Sequence, residues 1–271
     1  PGFPKHPHRG FETLTVVNEG IIDHSDSLGS KARYGDGDAQ WLTAGDGINH
    51  SEMFPLFNKD SSNKIDFFQI WINLPSTKKR VDPYFKMFWD NNIPRVVEND
   101  DNGLSTKISI ISGNYKGIES LKPPPNSWAN NNKNNVGVWV INMDEGARWI
   151  IPKSTEKTLR SLYIPKNNKM KFNGEKLITN SRVDLIVKED ISVLNSGPKT
   201  NLLLLQGKPI KEPVVQYGPF VMNTRSEIQE AFRDYDRTQF GGWEWNTSAP
   251  THGKEKMKFA KLLDGKFEKP M

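Results

Sequence analysis

Glu12, Leu14 and Val16 alternate with Thr13, Thr15 and Val17 before Asn18-Glu19-Gly20 interrupts the run, the two-residue period of a β-strand. Short apolar runs recur at Ile65–Leu74, Val136–Met143, Thr158–Ile164, Val183–Val187 and Asn201–Gln206. Gly, Pro, Asn and Asp separate them, and Asn173-Gly174 predicts a two-residue type I′ hairpin turn. Many short strands with closely spaced turns predict an all-β chain of sandwiches or barrels. One helix interrupts the pattern near the end. Thr224 followed by Glu227 makes a capping box, and Ile228, Ala231, Phe232 and Tyr235 then fall on one face.

Three consecutive prolines, Pro123 to Pro125, precede the Asn/Lys-rich run Asn130–Asn135. That composition buries little apolar surface, so residues 122–135 are expected to be a mobile linker. The expected organisation is a barrel over residues 1–121, the linker, and a second barrel with the helix and tail over 136–271.

At 271 residues the chain is long enough for two domains of ordinary size. No apolar run approaches the roughly 18 residues that span a bilayer, so no membrane partner is expected. Cysteine is absent, which removes disulfides, zinc-thiolate sites and cysteine nucleophiles, and fits an intracellular protein, cytoplasmic or nuclear. Any metal must be held by His, Asp, Glu or backbone oxygen. The 37 basic residues exceed the 32 acidic ones by only five, scattered without stacking aromatics, which argues against direct nucleic-acid binding.

Two short pairs carry the chemistry. His6 and His8 are separated by one residue, as are His50 and Glu52, and side chains two apart on a strand point to one face. Adjacent strands could close these four ligands on one ion. Three imidazoles and a carboxylate suit Fe(II), Mn(II), Ni(II), Cu(II) or Zn(II), and an ion with six positions would keep two for water, dioxygen or substrate. Arg9, Gly10, Glu12, Gln40, Trp41 and Thr43 are candidates to orient the imidazoles. Glu12 is open to three roles: ligand, hydrogen-bonding base beside the site, or ordinary strand residue; the second is preferred. His24 is assigned a structural or surface role.

The segments Phe3–Thr13 (with His6-Pro7-His8-Arg9-Gly10), Gly37–Gly45 running on to His50-Ser51-Glu52-Met53, and Gln206–Thr224 resemble the signature of the pirin family. The resemblance implies two jelly-roll-like cupin β-barrels with a short C-terminal helix. It implies one metal, Fe(II) first, in the N-terminal barrel on His6, His8, His50 and Glu52, with Glu12 beside the site as the catalytic base. Pirins usually carry a longer segment ahead of the His-Pro-His motif, so the first barrel is expected to lack its first strands. No histidine lies between Met53 and Thr251, so the second barrel cannot repeat the site.

Two functions follow from the resemblance. One is a quercetin 2,3-dioxygenase that cleaves a small aromatic flavonol with dioxygen. The other is an iron-dependent transcriptional co-regulator acting through a protein partner. Phe240-Gly241-Gly242-Trp243 and Pro250–Gly253 look more like bacterial and plant-type members, which favours the enzyme.

Overall fold

In the computed structural model, which describes residues 1–166, 168–176 and 181–270, the chain divides into two compact units. The first comprises Pro1–Asn92, Pro124–Trp128 and Ile210–Met271; the second comprises Ile93–Pro123 and Ala129–Pro209. No described helix is long and apolar enough to cross a membrane.

The first unit holds eight leading strands: β1 (Gly2–His8), β2 (Phe11–Glu19), β3 (Ile21–Asp26), β4 (Lys31–Gly35), β5 (Ala39–Thr43), β6 (Ile48–Met53), β7 (Asp66–Asn73) and β8 (Tyr84–Phe88). They form two antiparallel sheets. One runs β1-β6-β3-β4 and is extended by Phe259–Lys261 and Phe267–Glu268; the other runs β7-β2-β5-β8. Side chains from the two sheets meet between them: Thr15 of β2 reaches Glu52 of β6, and Tyr34 of β4 donates to Gln40 of β5. The apolar part of this interior is built from Val17, Ile22, Tyr34, Leu42, Ile48 and Phe85.

The helix α1 (Arg225–Thr238) starts with the expected capping box, Thr224 accepting from the Glu227 amide while the Glu227 carboxylate accepts from the Thr224 amide. Its apolar face covers the hairpin of Val215–Tyr217 and Phe220–Met222 through Ile228, Ala231 and Phe232. Expected beside the second barrel, α1 and the tail instead belong to the first unit. Arg9, in the turn after β1, donates to Asp234 of the helix at 2.8 Å, and Phe259–Lys261 pairs with β4.

The second unit contains a six-stranded sheet whose centre pairs Ser105–Ser112, Gly137–Met143 and Thr200–Gly207. A four-stranded sheet completes it, and Trp139, Trp149, Tyr115 and Leu204 fill its core. The expected hairpin is present: Phe172 pairs with Glu175 across Asn173 and Gly174, both at positive φ. Strands over 95–112 pair here and not with the first unit's sheets, so the division precedes the prolines rather than falling at them.

The segment expected to be a mobile linker is locally tied. Asn131 caps the short turn Asn132–Asn134, and Asn135, in the left-handed region, donates to Ser154 and Thr158. Asparagine side chains here replace apolar burial with hydrogen bonds to nearby backbone and hydroxyls.

Candidate metal centre

β1 and β6 lie side by side with His6 directly opposite His50. The two-residue period then puts His8 on the same face as His6, and Glu52 on the same face as His50. The three imidazoles converge, with one ring nitrogen from each of His6, His8 and His50 lying within 4.8 Å of the others. Gly10 makes the turn that follows possible. Its φ is +85°, and a Cβ there would strike the Val221 carbonyl.

Backbone carbonyls orient two of the rings. His6 Nδ1 lies 2.8 Å from the Pro4 carbonyl, and His8 Nδ1 lies 3.4 Å from that of Pro219, so Nε2 of each is the nitrogen left for the centre. Among the described residues none offers a hydrogen bond to His8 Nε2 or to either nitrogen of His50, although both side chains are buried. Buried polar atoms are ordinarily paired. Burial, and secondly the neighbouring His6, push the His8 imidazole down to about 3, and burial with the other histidines holds His50 well below its usual value. Neutral, convergent imidazoles with free nitrogens are what a transition-metal ion requires. The donor set fits a metal.

Glu52 is on the right face but outside this group. Its carboxylate accepts from Thr15 Oγ1 at 3.0 Å and from Gln69 Nε2 at 2.6 Å. Phe11 and Trp71 lie against the His8 ring, with centroids 5.0 and 5.4 Å away; Phe11 is buried and Trp71 is 40% exposed.

Residues 1–72 match the family described as Pirin, and residues 138–241 match the Pirin C-terminal cupin domain. Pirin-1 of Arabidopsis thaliana is 36% identical over 263 residues, which covers 89% of this chain and 78% of that protein. The chain belongs to the pirin family. Human pirin is 32% identical, with 89% of this chain and 78% of that protein covered. A crystal structure of quercetin 2,3-dioxygenase from Acinetobacter baumannii is similar at 29% identity and a TM-score of 0.76, covering 89% of this chain and 80% of that one. The pirin architecture here is thus the expected pair of cupin barrels with one short C-terminal helix.

Glu12 lies apart from the three imidazoles. It pairs across β2 and β5 with Thr43, whose hydroxyl donates to its Oε1 at 2.7 Å, and Ser127 donates to Oε2 at 2.5 Å. Phe11, Thr13 and Thr15 face the interior that holds the imidazoles, so alternation turns Glu12 to the other face of β2. Trp41 and Thr43 share that other face, and Arg9 serves the ion pair with α1; of the residues proposed to orient the imidazoles, Gln40 points inward. The partners that sequence reasoning missed are Thr15, Gln69 and the Pro4 and Pro219 carbonyls. A glutamine inside the apolar run Ile65–Leu74 was a visible signal, because an inward polar side chain needs a partner there. His24, expected to be structural or at the surface, is fully buried with Nε2 3.2 Å from Asp26 and its ring 5.6 Å from that of His50.

Burial pushes the Glu12 carboxyl up from 4.5 to about 7, against the charge-favouring hydrogen bonds of Ser127 and Thr43. The folded state therefore holds a proton that the unfolded chain has released, and stability from this group is full below pH 4.5 and lost as pH rises through about 7. A rise of this size is worth about 3 kcal/mol. Denaturant midpoints at pH 5 and 8 should show wild type losing about that much relative to Glu12→Gln; parallel pH profiles would refute the assignment.

Proposed function

We propose that the first barrel holds one redox-active divalent ion, Fe(II) foremost, and that the protein is a dioxygenase of the quercetin 2,3-dioxygenase type. The observation that carries this reading is the convergence of His6, His8 and His50 with buried nitrogens that no described residue pairs. Glu52 supplies the carboxylate ligand from the same strand and face as His50. Mn(II), Ni(II), Cu(II) or Zn(II) would satisfy the same donors.

The bound ion would stabilise a substrate oxyanion and bring it together with dioxygen. Trp71, 40% exposed, would offer a planar aromatic substrate a ring beside His8, with Phe11 packed behind it. With Glu12 on the other face, the proton of a flavonol hydroxyl falls to Glu52. The likeness to the Acinetobacter quercetin 2,3-dioxygenase supports the substrate class.

Dioxygen uptake by anaerobically Fe(II)-loaded protein given quercetin tests this. Turnover is expected, and His6→Ala should abolish it. Stoichiometric iron binding without uptake would overturn the dioxygenase reading in favour of an iron-dependent regulator that acts through a protein partner.

A further inference from the structure

Glu52 sits two residues beyond His50 on β6 and faces the same interior, yet it does not join the imidazole group. Both of its oxygens are taken. Thr15 Oγ1 donates to Oε1 at 3.0 Å and Gln69 Nε2 donates to Oε2 at 2.6 Å. Thr15 and Gln69 are direct partners across β2 and β7, and Gln69 Nε2 also lies 3.4 Å from Thr15 Oγ1. The two side chains form a preassembled pair of donors, set by strand register and aimed at one buried carboxylate.

We propose that Thr15 and Gln69 are positioning residues that hold Glu52 back from the ion, so that the centre alternates between three and four protein ligands. This rests on the metal-binding reading above. A buried carboxylate must keep partners, and hydrogen bonds to a charged acceptor are among the stronger ones. An ion that recruits Glu52 therefore competes with these donors. The three imidazoles hold it alone while the carboxylate stays in its cradle, leaving one more position for substrate or dioxygen. Gln69, with the shorter bond, is the main competitor.

Co(II) titrated into the full chain reads this without turnover, by calorimetry for affinity and by visible absorption for coordination. Gln69→Leu is expected to bind Co(II) roughly tenfold tighter, since the lost competitor is a hydrogen bond to a charged group. The visible bands should weaken as the coordination number rises. Thr15→Val should move both readouts the same way by less, and it keeps the test sound if Gln69→Leu fails to fold. In a Glu52→Gln background both effects should vanish. Wild-type binding that is unchanged or weakened by Gln69→Leu and by Thr15→Val, with an unaltered spectrum, overturns the cradle and leaves the metal site standing. No Co(II) binding by wild type, with His50→Ala indistinguishable from it, overturns the metal reading and the cradle with it.

Discussion

His50→Ala is expected to reduce affinity for a divalent transition-metal ion by more than the roughly 10–100-fold that loss of a partner behind a ligand costs. The imidazole lies at the centre of the group, with His6 and His8 ring centroids 4.4 and 4.8 Å from its own. The ion-free variant should unfold at nearly the wild-type denaturant concentration. Truncation removes packing atoms, but it also removes two buried ring nitrogens that lack partners, and an unmet buried polar group costs about 1–3 kcal/mol. The stabilisation that excess metal gives the wild type, which grows with ion concentration over Kd, should disappear. A histidine serving only the core would behave the opposite way. Its removal would lower stability without metal and leave the metal response intact, so thermal unfolding of both proteins with and without ion separates the two roles.

The shared faces of these two pairs were legible because strand geometry is local. His6-Pro7-His8 and His50-Ser51-Glu52 each needed only the two-residue period to share a face, and the register of β1 on β6 joined them. The capping box at Thr224 and the Asn173-Gly174 turn were legible for the same reason. Glu12 was not. Every residue from Phe11 to Val17 is buried, so β2 is covered on both faces and alternation does not say which one looks toward the histidines. The side that looked functional, Glu12 with Trp41 and Thr43, is instead covered by a segment carrying Ser127, more than a hundred residues away. The position of α1 was hidden in the same way. Its amphipathic face says that it packs, and the Arg9–Asp234 pair, a contact no local pattern encodes, helps fix where.

The tail is fixed by a buried charge, and Asp23→Ala should show it with a loss of about 3–5 kcal/mol. Asp23 is fully buried on β3 and takes a bidentate pair from Arg33 on β4, both bonds 2.7 Å long. Its Oδ2 also accepts from the His252 amide at 2.8 Å. Arg33, itself 1% exposed, spends its remaining donors on the Gly253 and Glu255 carbonyls, while His252 Nε2 reaches the His24 carbonyl at 2.7 Å. One carboxylate thus neutralises the guanidinium that holds residues 252–255 across β3 and β4. Alanine would leave that guanidinium buried without a counter-charge, which costs far more than losing an exposed ion pair. Limited proteolysis should then cut near His252 faster than in wild type, and the denaturant midpoint should fall. Adding Arg33→Leu should recover part of the loss, because replacing both members of a buried pair by apolar groups is often neutral. If the single variant loses less than about 1 kcal/mol, the pair is behaving like a surface bridge. The strap would then have to be held by its backbone hydrogen bonds and by the pairing of Phe259–Lys261 with β4.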